Sequence, residues 1–305
     1  MFSIIENKIL KVQEGDIDFS DWNVSDIELW ENNIKITANK CFKTIDNLLS
    51  GLYAKTKPKF SSVLVFYYRY IYDSSRSSLD TRYLKIFKNT IFKTSEEYYH
   101  GLLKTLPKDC TFTTKDFQNI CELIIKEISL IQKKYTKLLL DKINIATECA
   151  KMLTSAVSID TPLMIEQIQK SSKSKNTVIS PVDALELYSV LKEIRNISQQ
   201  VNTMENNLSN LETTFSRYLI KFSKNISKEI SKTCVNALKV EKWEPLSGDV
   251  FYSSSVLDIF KMVNESLNLL QNFDWNYDYT YAISTTLLLQ AFSNGIYQYC
   301  ITVVD

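Results

Sequence analysis

The sequence predicts an all-α protein built from long packed helices. Glycine and proline are scarce, with five of each in 305 residues, whereas sheet-rich folds use both residues in their many turns. Apolar residues recur at steps of three and four over long stretches, which is the spacing that lines one side of an α-helix. Because 45% of the residues are hydrophobic, the chain can bury a substantial core.

The first strong helix is predicted to begin at Ser25, which can cap free amides while Glu28 completes a capping box. Its apolar stripe consists of Ile27, Trp30, Ile34, Ala38, Cys41, Ile45 and Leu48. Gly51 and Pro58 are expected to end it. Residues 60–103 hold shorter apolar runs, also predicted as helices, which the serine-rich segment 73–80 interrupts as a surface loop.

The apolar pattern lengthens between Thr114 and Leu153. One stripe consists of Phe117, Ile120, Ile124, Ile128, Ile131, Tyr135 and Leu138. This predicts a single helix, which at 1.5 Å per residue extends roughly 60 Å. We therefore expect a rod-shaped molecule.

A boundary is predicted at residues 170–181, which lack apolar periodicity and hold enough serine and lysine to remain solvated. We divide the chain into an N-terminal helical bundle region (1–170), a linker (171–181) and a second helical region (182–305). Ser180 as an N-cap followed by Pro181 predicts that a helix starts there.

The second region is predicted to hold four helices. The apolar stripes of the first two consist of Leu187, Leu191 and Ile194, and of Phe215, Leu219, Phe222, Ile226, Ile230 and Cys234. After a turn at 243–249, Ser255 and Asp258 form a candidate capping box, followed by the stripe Val256, Phe260, Val263, Leu267 and Leu270. The last helix is expected from about Tyr279 to the end. We find no repeat of fixed period, which disfavours a solenoid.

Composition excludes several classes of function. Lys and Arg number 36 and Asp and Glu 35, so no global field holds the chain on DNA, RNA or an anionic membrane, and any electrostatic binding must be local. The cysteines lie far apart without a CxxC pair and are predicted to be reduced core residues of a cytosolic protein: Cys41, Cys110, Cys121, Cys149, Cys234 and Cys300. Neither a signal peptide nor a transmembrane helix is predicted, because charged or polar residues interrupt the apolar runs.

Catalytic chemistry has little support. His100 is the one histidine and lies in no motif, so a serine or cysteine nucleophile lacks an evident base. Glu96 and Glu97 are adjacent and point apart on a helix. Asp274 and Asp278 can share a face at i,i+4, although carboxylates near a helix start usually face solvent. We predict no enzymatic activity, no cofactor and no metal; an enzyme with an unfamiliar surface site is the alternative.

Two lysine clusters are candidates for contact with phosphate or lipid head groups, at about 1 kcal/mol per lysine near an anionic surface. They consist of Lys55, Lys57 and Lys59, and of Lys170, Lys173 and Lys175. We interpret both as solvated loops. Serines 171, 172 and 174 beside the second cluster are candidate phosphorylation sites, since a phosphate there would reverse the local charge.

Four segments carry a resemblance to a known family. In order they are ELYSVLKEIRNI (186–197), CVNALKVEKWEPL, VFYSSSVLDIFKMVNESLNLLQNF and FSNGIYQYC, of which SSSVLDIF is the most distinctive. From about Leu187 to Asp305 the chain resembles the first Munc homology region of the MUN domain in the Munc-thirteen family. Residues 1–170 match it only in general helical character.

The resemblance implies an elongated stack of antiparallel long-helix bundles, similar to subunits of vesicle-tethering complexes. It implies a cytoplasmic protein, peripheral to the plasma membrane or sites of exocytosis, that tethers and primes vesicles and promotes SNARE complex assembly in secretion or cytokinesis. The partners would be syntaxin-type SNARE proteins and other exocytic SNAREs. The alternative is a structural subunit of a multiprotein tethering complex, which holds its neighbours by helix packing.

In the family, an asparagine and a phenylalanine three residues later mark the pocket that engages syntaxin. The matching positions are Asn264 and Leu267, so the resemblance makes both partner-binding candidates, although Leu267 also fits the apolar stripe of a core. Leucine lacks the aromatic ring, whose contacts are worth about 0.5–1.5 kcal/mol. Because the family's C-two domains and second homology region are missing, we expect a fragment or a shortened relative, with membrane association carried by regions absent from this chain.

Overall fold

The computed structural model describes residues 22–60, 63–65, 79–107, 112–201, 208–242, 244 and 253–304. Within these ranges the chain forms eight long α-helices, a three-residue helical segment at 63–65 and no β-strand, so the predicted all-α class is confirmed. The helices are α1 (Val24–Leu49), α2 (Leu79–Leu103), α3 (Thr114–Lys134), α4 (Ile145–Ser174), α5 (Pro181–Gln200), α6 (Leu211–Val240), α7 (Ser254–Asn272) and α8 (Asp278–Val304).

The contacts between residues divide the chain into two compact units. The first comprises Met1–Leu106, Ile120–Asp160 and Asn196–Asn206, and the second comprises Pro107–Asn119, Thr161–Arg195 and Asn207–Asp305. These units do not follow the division expected from the sequence. Residues on both sides of the predicted linker, 161–170 and 182–195, belong to the second unit.

The core of the first unit joins side chains of α1, α2, α3 and the start of α4. Fully buried members include Cys41, Ile45, Leu49, Phe87, Ile91, Ile131 and Cys149. At the edge of this core the rings of Phe42 and Phe87 stack with centroids 4.9 Å apart. Burial of each large apolar side chain contributes about 1.5–3 kcal/mol. Of the predicted α1 stripe, Ala38, Cys41 and Ile45 are buried.

In the second unit, α8 packs along α6 at close range. The Ser227 hydroxyl of α6 donates to the carbonyl of Leu287 in α8 at 3.0 Å. A Cβ placed on Gly295 of α8 would lie 2.6 Å from the Cys234 sulfur of α6. Glycine suits this crossing, because a Cβ there would overlap a buried neighbour that would have to shift.

The single long helix predicted for residues 114–153 is wrong. Two helices, α3 and α4, are joined by residues 135–144, and the 21 residues of α3 extend only about 32 Å. Leu140 and Asp141 have φ angles of 52° and 54°, a left-handed conformation that interrupts a right-handed helix. Leu139 and Leu140 are buried, so the turn continues the apolar pattern that predicted one helix.

Two predicted capping boxes are also wrong. The N-cap of α1 is Asn23, whose side-chain oxygen accepts a hydrogen bond from the Asp26 amide at 2.8 Å. Ser25 is already inside the helix. Ser255 likewise lies inside α7, where its side chain is buried instead of capping. The predicted turn at 243–249, apart from Glu244, and residues 73–78 of the predicted loop lie outside the described residues.

The predicted linker contains an ordered helix end. Residues 171–174 complete α4, and Asn176 takes a φ of 55°. The amides of Asn176 and Thr177 donate to the carbonyls of Lys173 and Ser172 at 3.1 and 3.0 Å, the two bonds of a Schellman motif. Ser171 is buried, so this part of the predicted linker is not solvated. Only residues 175–180 connect α4 to α5, which begins at Pro181 as predicted.

The sequence also predicted buried, reduced cysteines and no transmembrane helix. Cys41, Cys121, Cys149 and Cys234 are buried free thiols, as predicted, whereas Cys300 is exposed and Cys110 lies outside the described residues. No helix in the described ranges combines the length and apolarity needed to cross a lipid bilayer.

Candidate partner-binding surface on helix α7

Helix α7 has one face that packs into its unit and another that is open. The packing face is lined by Ser255, Ile259, Val263, Ser266 and Leu270. This corrects the predicted stripe: Val263 and Leu270 are buried as expected, but Phe260 is 54% exposed and Val256 and Leu267 are half-buried. Two of the residues on the packing face are serines, which an apolar pattern does not detect. Three of the five positions of the predicted stripe are therefore displaced by one residue from the packing face.

The open side of α7 carries residues at steps of three, four and three, which align on one helix surface. They are Leu257, Phe260, Asn264 and Leu267, and we call this surface the α7 face. Leu257 is 47% exposed, Asn264 is exposed and Leu267 is half-buried. The Phe260 ring meets the Phe292 ring of α8 edge to face, with centroids 5.4 Å apart, so α8 borders this surface.

Asn264 and Leu267 therefore lie side by side, as their spacing predicts, but they differ in exposure to solvent. The Asn264 carboxamide is open to solvent and can offer two donors and an acceptor to a partner's backbone. Leu267 is half-buried, at the boundary between the packing face and the open side of α7. Sequence reasoning missed Leu257 and Phe260 as surface residues, and the 3-4-3 spacing beside a second apolar stripe is the signal that could have found them.

A polar cluster fixes the start of α7. The Glu241 carboxylate, at the end of α6, accepts hydrogen bonds from the hydroxyls of Ser253, at 2.7 Å, and Ser255. The hydroxyls of Ser255 and Tyr299 lie 2.9 Å apart, which ties α7 to α8. A carboxylate at this end also stabilises the helix dipole, so the first turn of α7 is held by both neighbouring helices.

A buried lysine fixes the end of α7. Lys192 of α5 is 8% exposed, and its ammonium donates to the carbonyls of Phe273 and Asp274 and to the Asp274 carboxylate. Asp274 has a φ of 46°, and its amide donates to the Gln271 carbonyl at 2.8 Å. The hydrogen bond and charge of Lys192 hold the pKa of the Asp274 carboxyl below its usual range.

Beneath this anchor, α5 and α6 share a buried ion pair. Arg195 and Glu212 form two parallel bonds of 2.7 and 2.9 Å, and both are less than a tenth exposed. Tyr188 donates to the same carboxylate at 3.1 Å, and its ring lies 4.5 Å from that of Trp275. Burial alone raises the pKa of Glu212, but the bonds and charge of Arg195 outweigh it and leave the pKa lowered.

The candidate catalytic carboxylates do not converge. Glu96 lies 3.9 Å from His100 and Glu97 lies 3.9 Å from Lys93, and both pairs are exposed on α2. Asp274 precedes α8 in a left-handed conformation, so it does not share a helix face with Asp278. In the described part of the chain, no three Cys, His, Asp or Glu side chains meet in a metal-binding arrangement.

The chain is similar to two fungal proteins whose names state no function. An uncharacterized protein of Saccharomyces cerevisiae is 38% identical over 308 residues, which covers 98% of this chain and 24% of that protein. An uncharacterized protein of Schizosaccharomyces pombe is 25% identical over 96 residues, covering 32% of this chain and 8% of that protein. The chain spans about a quarter of the length of the first relative and under a tenth of the second. No protein-family model and no solved structure matches the chain.

Proposed function

We propose that the α7 face binds a helix of a syntaxin-type SNARE protein, and that the chain promotes SNARE assembly during vesicle tethering and priming. The observation that carries this proposal is the α7 face itself, where apolar residues and one carboxamide lie in a row on an exposed helix. Helix-in-groove recognition uses anchors at this spacing. The block SSSVLDIF, on which the resemblance to the Munc-thirteen family depends, forms the first turns of this helix.

The supports of α7 suit such a role. Binding gains affinity when the binding surface is held in place before the partner arrives. Lys192 and Glu241 fix the two ends of α7, so its open face does not have to be ordered on binding. The reaction would be conformational, without covalent chemistry, and would take place in the cytoplasm beside the plasma membrane or at sites of exocytosis.

A binding titration of chain 1–305 with the cytoplasmic part of a syntaxin tests the proposal. Phe260→Ser should weaken binding roughly thirtyfold, because buried aromatic anchors contribute about 2 kcal/mol or more. Leu267→Phe restores the ring that family members carry and should tighten binding about 2- to 13-fold. Phe92→Ser on α2 is the matched control, since Phe92 is also 54% exposed. Equal losses for Phe92→Ser and Phe260→Ser would contradict the proposal.

A second candidate function, a structural subunit of a multiprotein tethering complex, is favoured by helix α8. From Tyr279 to Val304 the sequence has no charged residue, yet Leu289, Tyr297 and Ile301 are 47%, 63% and 38% exposed. Charged side chains are depleted in the centres of protein interfaces. Purification of the protein from its native cells distinguishes the candidates: a fixed stoichiometric assembly that a Tyr297→Glu variant disrupts would favour the structural subunit.

A further inference from the structure

A second surface lies in the first unit, beside the turn between α3 and α4. It is an open groove of about 310 Å³, formed by residues 58–60, Leu64, residues 134–139 and Ile145. Its floor is apolar and its rim is cationic. This combination makes it a candidate binding site that is separate from the α7 face and does not rest on the proposed function.

The floor of the groove is built into the core. Phe60, Tyr135 and Leu139 are 7%, 9% and 1% exposed, and the first two rings meet edge to face with centroids 5.5 Å apart. The Tyr135 hydroxyl donates to the Pro58 carbonyl at 3.1 Å, which fixes one wall. Because these side chains are already packed, the groove exists before any ligand binds.

The rim carries three exposed lysines, Lys59, Lys134 and Lys137. None of the described residues that line the groove is acidic, and within the same described part of the chain these lysines form no ion pair. Residues 133–142 hold four lysines and one carboxylate, Asp141. Leu138 stands on the same rim and is 47% exposed. The surface therefore combines positive charge with an exposed apolar side chain.

The neighbouring Lys57 behaves differently, which separates the members of the KTKPKF cluster. It is largely buried, forms an ion pair with Glu127 and donates to the Leu52 carbonyl at 3.1 Å. The expectation that all three lysines of this cluster lie in a solvated loop is therefore wrong for Lys57. Of the other two, Lys59 lies on the groove.

We propose that this groove docks on a membrane surface rich in anionic phospholipids. The lysines of the rim would meet the lipid phosphates, and Leu138 would enter the boundary between head groups and acyl chains. Binding of a protein surface to the membrane interface strengthens with the apolar area that it buries and with its electrostatic attraction to anionic lipids. A helical peptide needs anchors over two or more turns, whereas this groove is confined to one interhelical turn and its neighbours.

Sedimentation of chain 1–305 with vesicles tests this proposal. Vesicles of phosphatidylcholine with about 30% phosphatidylserine should bind the protein, and pure phosphatidylcholine vesicles should not. A lysine near an anionic surface contributes about fivefold, so replacing Lys59, Lys134 and Lys137 together by Gln should reduce partitioning on the order of 100-fold. Leu138→Ser should reduce it roughly tenfold. Raising the salt from about 0.1 M to 0.5 M should release the wild-type protein.

The matched control replaces three exposed lysines away from the groove, Lys35, Lys40 and Lys104, by Gln. Both triple variants lower the net charge equally, from +1, and circular dichroism checks that both fold. Retained binding by the control supports a localised docking site. The proposal is overturned if the control loses as much binding as the groove variant, if wild type ignores anionic vesicles, or if the groove captures an acidic peptide and no vesicle.

Discussion

The crossing of α6 and α8 at Gly295 makes a quantitative prediction, because Gly295→Ala adds a single carbon to a described environment. The new Cβ would lie 2.6 Å from the Cys234 sulfur and 3.3 Å from its Cβ. Cys234 is 1% exposed, so it has no solvent-filled space to move into. Overpacking of this kind costs about 1–3 kcal/mol.

Two effects oppose each other in this variant. Alanine favours a helix over glycine by about 0.8–1.0 kcal/mol, which offsets part of the overlap. We expect a net destabilisation of up to about 2 kcal/mol. Gly101→Ala on α2 is the control, because a Cβ there has no atom within 4 Å, and it should be neutral or stabilising by up to about 1 kcal/mol.

Urea denaturation followed by circular dichroism measures both variants, and Cys234→Ala completes a double-mutant cycle. Removing the sulfur relieves the overlap, so Gly295→Ala should cost at least about 1 kcal/mol less in the Cys234→Ala background. Equal stability of Gly295→Ala and Gly101→Ala, or additive effects of the two substitutions at the crossing, would refute an overlap between Gly295→Ala and Cys234.

Three further predictions concern buried or strained groups. Glu212→Gln leaves the Arg195 charge unpaired and should cost about 3–5 kcal/mol at pH 7 by urea denaturation. Folding lowers the pKa of Glu212. The ionised carboxylate therefore contributes its full stabilisation above the unfolded pKa of about 4.3, and this stabilisation is lost as the pH falls through the folded pKa. The difference in stability between wild type and Glu212→Gln should therefore decrease in acid. Lys57→Met leaves the Glu127 carboxylate without its partner. It should lower the free energy of unfolding by about 3 kcal/mol, which thermal unfolding shows as a lower melting temperature. Asn176 has a φ of 55°, a left-handed conformation that asparagine adopts more readily than alanine and that glycine adopts without strain. Asn176→Ala should therefore cost about 1 kcal/mol by thermal unfolding, whereas Asn176→Gly should not.

The sequence predicted the presence and order of α5 to α8 well because these helices combine strong periodicity with local signals. Pro181 starts α5 as expected, and Leu187, Leu191 and Ile194 are buried. These features depend on residues within one or two turns of each other. The prediction of helix type and approximate position therefore required no tertiary information.

The sequence failed where tertiary contacts override the local pattern. The turn after α3 is apolar because Leu139 and Leu140 pack into the core, so periodicity continued through a chain reversal. Ser255 resembled a cap but contacts Glu241 and Tyr299, and the last of these lies 44 residues away along the chain. A pairing at such a separation has no signature in a single sequence.

The same limit applies to the candidate surface. The adjacency of Asn264 and Leu267 followed from their spacing, but the exposure of Phe260 did not, because it depends on which face of α7 meets α6 and α8. The anchoring role of Lys192 was equally hidden, since its acceptor Asp274 lies 82 residues further on. Helix periodicity predicts which residues share a face, but only the packing of the neighbouring helices decides which face remains exposed to solvent.

Hydrogen–deuterium exchange of chain 1–305, with and without the cytoplasmic part of a syntaxin, tests the central proposal most directly. We predict slower exchange across Ser254–Asn272 on binding, with no comparable change in Leu79–Leu103, the helix that carries the control residue Phe92. Saturating syntaxin that leaves exchange in Ser254–Asn272 unchanged would contradict the assignment of the α7 face as the binding surface.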